Sequence, residues 1–335
     1  MTLPTRAIGP FTVSAIGFGC MNLSHGYPPF PAEYTSVALL NRALDLGCTL
    51  LDTAAIYGTG ANESLVAKAV GHRRSEFTLA SKCVLDLVDG ERVLNARPEV
   101  ILKSCDRALT RLGTDVIDLY YMHRLDRNVP IEESMGAMAE LVAAGKIRAI
   151  GLSEMSAETI RRAHAVHPIS AVQTEYSPAV RNPEVAVLDV CEQLGIAFVA
   201  FSPVARGLLA GSVRSDMFET GDIRAAMPRF LGDKLAANLA IVAQFEAIAT
   251  DAGLTPAQLS LAWVLAQRPH IVAIPGTRSI AHLEENMGAS TVMLDTATLA
   301  RVDALFPANV LSGARYPAPL QAQIDTELLP NEELA

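Results

Sequence analysis

Four polar residues stand out in this chain: Asp52, Tyr57, Lys82 and His123. Three of them lie at or just beyond the end of a short apolar run, in LLDTAAIYG, FTLASK and VIDLYYMH. A phenol has a pKa near 10, too weak an acid for easy proton transfer at neutral pH. An ammonium at about 4 Å, at an effective dielectric near 20, attracts the phenolate by on the order of 4 kcal/mol, or up to about three pKa units. Desolvation opposes this, so the expected net effect is an acid one or two units above neutral. In that scheme Asp52 holds Lys82 charged and aimed, and His123 orients or polarises a carbonyl. Delivery of a proton to oxygen without a metal is what reduction of a carbonyl by hydride requires.

Taken singly, each of the four has an ordinary role: a turn-capping acid, a core-edge aromatic, a snorkelling lysine, a hydrogen-bonded strand-end histidine. Together they need elements that bring three distant segments to one place. Eight apolar runs could do so: residues 15–20, 49–54, 77–82, 116–121, 148–153, 171–177, 197–202 and 271–276. They are continuous rather than alternating, as strands covered on both faces should be. Helical patterns fill the gaps. Residues 34–46 stop at Gly47, and Pro98 opens a helix closed by Gly113. Residues 131–144 end at Gly145, Ser156 caps 157–166, and Thr255-Pro256-x-Gln258 reads as a capping box. Eight strands alternating with helices make either an open doubly wound sheet or a closed (β/α)₈ barrel. G-x-G-x-x-G is absent, because Gly17-Phe18-Gly19 is followed by Asn22 and Gly58-Thr59-Gly60 by Glu63. The barrel is therefore the expected fold, as a single domain over residues 1–335 with a peripheral tail from about 317. A hairpin turning at Gly9-Pro10 is expected to plug its bottom. Residues 205–234, between strands seven and eight, are expected to form a lid, and the last ten residues or so to be mobile.

The chain has 335 residues, is 50% hydrophobic and carries a net charge of −9, a poor composition for non-specific nucleic-acid binding. Five cysteines with no C-x-x-C spacing argue against a disulfide framework or a zinc site and for a reducing cytoplasm. The N-terminus does not read as a secretory signal. Mean hydropathy is +0.26, yet no apolar run approaches a membrane span. His164-x-x-His167 is expected to be solvated helix rather than a metal site, and Cys83 to point away from the face of Lys82.

Across roughly residues 5–316 the chain resembles the aldo-keto reductases. The segments that carry the likeness are LLDTAAIYGTGANE, TLASK, DLYYMHRLD, GKIRAIGLSE, VQTEYSP, AFVAFSPVARGLLAG, TPAQLSLAWVLAQ and IPGTRSIAHLEEN. GLSE, VQTEYSP and the late Gly313-x-Arg315-Tyr316 are similar to a subgroup that includes perakine reductase and auxin-induced-type reductases. The resemblance implies a (β/α)₈ barrel that reduces aldehydes or ketones with NADP(H), with Asp52, Tyr57, Lys82 and His123 as its tetrad. It also implies a cofactor site. Ser153 and Gln173 would hold the carboxamide and Phe201 would stack on nicotinamide. Ser202, Pro203, Val204, Gly207 and Leu208 would start the pyrophosphate loop. Gly276, Thr277 and Arg278 would hold the adenosine-side phosphate, Arg278 favouring a 2′-phosphate and hence NADPH. His282, Glu285 and Asn286 would lie along the adenosine half. Glu154 stands where many relatives have asparagine, and Met122 where near relatives have glutamine.

Two rival functions remain open at this level. One is a cofactor-binding regulatory subunit with slow turnover. The other is a Schiff-base barrel using Lys82 as nucleophile, which needs a depressed lysine pKa. The substrate and the oligomeric state are not readable. Loops 21–34, 84–97, 124–130 and 205–234 and the tail are expected to wall the substrate pocket. Met21, Tyr27, Pro28, Pro29 and Phe30 would make its entrance apolar and aromatic.

Overall fold

A computed structural model describes residues 3–88 and 90–335. It contains twelve strands: β1 (Thr5–Ile8), β2 (Phe11–Ser14), β3 (Phe18–Gly19), β4 (Leu50–Asp52), β5 (Thr78–Cys83), β6 (Leu85–Val88), β7 (Glu91–Leu94), β8 (Ile117–Met122), β9 (Ile147–Ser153), β10 (Ala171–Glu175), β11 (Ala197–Phe201) and β12 (Ile271–Ala273). Eight of them pair in parallel in the order β3-β4-β5-β8-β9-β10-β11-β12. Ile16 bridges to Ala273, and Gly17 N–H donates to Ala273 O at 2.8 Å, so the last strand meets the first and the barrel closes. All eight expected barrel strands are present. Several are shorter than their apolar runs, because residues such as Thr53, Ala54 and Pro275 already belong to the loops of the barrel mouth.

The pleat divides each barrel strand between two cores. Leu50, Ala80, Leu119, Tyr121, Ala149, Ala171, Ala197 and Val199 point into the barrel. Their neighbours, among them Leu51, Leu79, Tyr120, Ile150, Val172 and Phe198, pack outward on the helices. Both faces being covered, neither can be polar, which is why the runs are continuous rather than alternating. Small residues make room for large ones inside. A Cβ on Gly151 would lie 2.3 Å from the Tyr121 ring, so only glycine fits there.

The antiparallel pair β1–β2 turns at Gly9, whose φ is +51°. It pushes Ile8 and Val13, both fully buried, into the inner core and closes the bottom of the barrel as expected. Helices cover the outside. The helix Pro98–Leu112 has proline at its first position, buries Ile101, Cys105, Ala108 and Leu112, and ends at Gly113 in the left-handed region. Both hydrogen bonds of the Thr255–Gln258 capping box form.

Two expectations need correcting. Residues 85–94 are not a plain loop but the antiparallel pair β6–β7. The last ten residues are not loose. Thr326 donates to Glu154, Glu327 accepts from the Ala157 N–H, Glu332 accepts from Asn182, and Glu333 pairs with Lys234. Their acidic side chains answer polar groups on the barrel.

Candidate active site

The inward rows of the barrel strands end in five polar residues and one aromatic. Asp52 continues the Leu50 row, Lys82 the Ala80 row and His123 the Leu119–Tyr121 row. Ser153 continues the Ala149 row, Gln173 the Ala171 row and Phe201 the Ala197–Val199 row. Period-two geometry therefore aims all six at one mouth. Tyr57 reaches it from the 3₁₀ turn Tyr57–Gly60 that follows β4.

Lys82 is fully buried. Its Nζ donates to Asp52 Oδ1 and to Thr53 O at 2.9 Å, and lies 3.4 Å from Tyr57 Oη. Gln173 Nε2 donates to Asp52 Oδ2 at 2.8 Å, so both carboxylate oxygens are used. The ammonium also faces the Tyr57 ring, 5.1 Å from its centroid. The His123 ring meets Tyr57 edge-on with centroids 6.0 Å apart, and its Nδ1 has no hydrogen-bond partner in the protein. The four residues first singled out thus form one cluster.

Their electrostatics differ from the expectation in one respect. Burial pushes the Tyr57 phenol up and Asp52 adds to this. Lys82 pulls it down but does not win, so the phenol sits above its ordinary value rather than near neutral. Burial is the larger effect, and Asp52 offsets part of the Lys82 charge. Tyr57 is accordingly held as the neutral, proton-bearing form. Burial would lower the Lys82 ammonium, yet Asp52 and Tyr57 together raise it, which removes the depressed lysine that a Schiff-base enzyme would need. His123 is driven well below its ordinary value, first by burial and then by Arg124, Lys82, Arg92 and His25. It is a neutral imidazole at pH 7.

A cavity of about 510 Å³ opens from this cluster and runs across the mouth to Arg278. Ser153, Gln173, Phe201, Ser202, Pro203, Val204 and Gly207 line its middle; Gly276, Thr277, Arg278, His282, Glu285 and Asn286 line its far end. Gly19 and Gly276 meet at the barrel seam, where a Cβ on Gly276 would lie 2.8 Å from Gly19 O. This close approach draws the 276–278 turn over the mouth. Behind it the helix Ile280–Gly288 starts with Ser279 as N-cap, a suitable end for an anion. Arg278 is exposed, bonds only the carbonyls of Tyr27 (2.9 Å) and Pro29 (2.5 Å), and has no carboxylate partner among the described residues. A free cation beside a helix N-terminus, at the end of a groove lined by small residues, fits the phosphate end of a nicotinamide dinucleotide.

Comparison with known proteins agrees with this geometry. The aldo/keto reductase family model matches residues 15–306. The chain belongs to the aldo/keto reductase family. The NADP(+) aldo-keto reductase yakc of Schizosaccharomyces pombe is 47% identical over 342 residues, covering 98% of this chain and 100% of that protein. Among solved structures, the glycerol dehydrogenase of Gluconobacter oxydans aligns over 98% of both chains with TM-score 0.82 and 26% identity. The NADPH complex of the Klebsiella pneumoniae aldo-keto reductase aligns over 92% of this chain and 96% of that one, with TM-score 0.71 and 29% identity.

Within this aldo/keto reductase, one expected cofactor residue does not line the cleft. Leu208 is fully buried in the outer core, where it anchors the loop from below. The loop itself is strained: Ser202, Ala205 and Arg206 all have positive φ, at 49°, 49° and 57°. Arg206 is fastened by Glu175 at 2.8 Å and the Tyr316 hydroxyl at 2.7 Å, and that hydroxyl donates to Glu175 at 2.9 Å. Residues 205–234 do arch over the cavity, Ile223 N–H donating to Gly26 O at 2.9 Å.

Glu154 takes no part in the cleft. It accepts from the Glu175 N–H, from Arg315 and from Thr326, and so ties the tail to the barrel. The entrance is also less apolar than expected. Met21 and Tyr27 line it, but Phe30 is exposed outside it, and His25, Arg92 and Arg124 line it instead. His25 stacks on Tyr57, centroids 5.6 Å apart. Arg124 was legible as the neighbour of His123; Arg92 was hidden because its hairpin was read as loop. The Cys83 thiol is buried facing the helices and raised by burial, which leaves it unreactive. His164 accepts from the Ile169 N–H at a helix end.

Proposed function

We propose that this protein reduces an aldehyde or ketone to the alcohol with NADPH. The observation that carries the reading is the buried Asp52–Lys82–Tyr57–His123 cluster opening into a groove that ends at an unpaired Arg278. NADPH, when bound, supplies the hydride. Ser153 and Gln173 would hold its carboxamide and Phe201 would face its ring. The strained 202–207 loop would take the diphosphate, Thr277 and Arg278 the adenosine phosphate, and His282, Glu285 and Asn286 the adenosine half.

Tyr57 gives its proton to the carbonyl oxygen. Its phenol is neutral at pH 7, so no prior protonation is needed. Lys82, 3.4 Å from Oη, steadies the negative charge that develops there. Asp52 and the Thr53 carbonyl keep the ammonium in place. Neutral His123 aligns the carbonyl without competing as an acid.

In the test, NADPH oxidation is followed with a panel of simple aldehydes for the wild type and Tyr57→Phe. The variant should bind NADPH normally and lose about 10²- to 10⁴-fold in kcat. Near-normal turnover by the phenylalanine variant would refute the assignment of the proton donor. We read the whole chain as one domain working in the cytoplasm on small molecules rather than nucleic acid. Among the described residues, no helix is long and apolar enough to cross a membrane.

A further inference from the structure

We propose that Arg92 and Arg124 form a carboxylate subsite beside Tyr57 and His123, so that the preferred carbonyl substrates carry an acidic group. The proposal rests on the reductase reading above and specifies its substrate class.

The cations lining the cleft fall into three kinds. Arg206 and Arg224 are neutralised by Glu175 and Asp222. Arg278 stands at the far, adenosine end. Arg92 and Arg124 are at the tyrosine end, and among the described residues neither has a carboxylate partner. Arg124 is 8% exposed. Only its Nη1 has partners, the His123 carbonyl at 2.5 Å and Ser153 Oγ at 3.2 Å. Among the described residues its Nε and Nη2 have no acceptor. Arg92, at the mouth on β7, donates through Nε to Gln323 Oε1 at 3.1 Å, and among the described residues its two terminal nitrogens have no acceptor.

Two guanidiniums sharing one cleft repel each other. Arg92 is exposed at the mouth, yet desolvation on the cleft side and the nearby Arg124 charge lower its guanidinium, and both arginines depress His123. The local carboxylate, Asp52, is already spent on Lys82 and Gln173. Positive charge concentrated without a counter-charge among the described residues is relieved by an anion from outside. The planar fork of arginine matches a carboxylate through two parallel hydrogen bonds. A substrate held this way would present its carbonyl to Tyr57 with its acid turned toward the β6–β7 hairpin and the tail.

The experiment compares matched acid and neutral substrates with NADPH at low salt: 4-formylbenzoate against its methyl ester, and succinic semialdehyde against butanal. The wild type should favour at least one acid by about tenfold or more in kcat/KM, with the advantage shrinking at high salt. Arg92→Met and Arg124→Met should each reduce the acid-to-neutral ratio by about 10- to 100-fold. In calorimetry, benzoate binding to the NADPH-loaded protein should weaken in parallel. The ratio normalises for any general loss of activity, and Arg92, being at the surface, keeps the test sound if the Arg124 variant folds poorly. Turnover of the neutral aldehydes with no preference for either acid, or a ratio unchanged in both variants, overturns this proposal alone. No turnover of any aldehyde overturns the reductase reading and this proposal with it.

Discussion

Replacing Lys82 by methionine tests the centre of the site, because it removes a charge and keeps most of the volume. The Lys82 and Asp52 side chains are 0% and 4% exposed, so water cannot rescue either partner. In the variant Asp52 retains the Gln173 bond but loses its cation. Removing one partner of a buried ion pair costs about 3–5 kcal/mol, because the remaining charge is left uncompensated. Replacing both, as in Asp52→Asn with Lys82→Met, leaves no buried charge and should cost much less. The double-mutant cycle should therefore show a coupling of at least about 2 kcal/mol. Urea unfolding at pH 7 with unchanged m-values reads these differences. A loss below about 1 kcal/mol for Lys82→Met, or simple additivity in the cycle, would refute the view that Asp52 and Lys82 hold each other inside the barrel.

Three further outcomes are expected. Arg278→Met should raise KM for NADPH by about tenfold or more while leaving KM for NADH nearly unchanged, if its fork meets the 2′-phosphate; steady-state kinetics with both cofactors decides. Folded His123 stays neutral well below 6.5, whereas the unfolded chain binds that proton near 6.5. Its contribution to stability is thus fully present above pH ~6.5 and is lost as pH falls below it, and His123→Gln should flatten that slope in denaturation between pH 7.5 and 5.5. Glu154→Ala strands the buried Arg315 and cuts the bond from Thr326, so it should cost about 3 kcal/mol or more. It should also open the Arg315–Tyr316 bond to trypsin, and an unchanged digestion rate would show that the tail is held by other contacts.

Much of the site was readable because β-strand geometry repeats every two residues. Given eight strands, Lys82 two places after Ala80 and His123 two after Tyr121 share the inward face of their strands. The proposed tetrad and most of the proposed cofactor residues follow from that rule and from the resemblance of their segments. Glu154 was less readable: its backbone stands at a strand end, but its side chain is taken by Arg315 and Thr326, which lie more than 160 residues away. The direction of the Leu208 side chain was not readable either, since a loop residue facing down into the core looks in sequence like one facing up into the groove.

By itself, then, the sequence determined the alternation of buried strands and helices, the barrel that follows from it, and the identity of the four residues at its mouth. These depend on local periodicity and on residue chemistry. The tertiary structure alone decided how charge balances around them. It showed that burial, with Asp52 engaging Lys82, keeps the Tyr57 phenol neutral, that Glu175 and Asp222 neutralise Arg206 and Arg224, and that among the described residues Arg92 and Arg124 have no counter-ion. Electrostatic energy depends on distance and burial, and neither can be read along the chain.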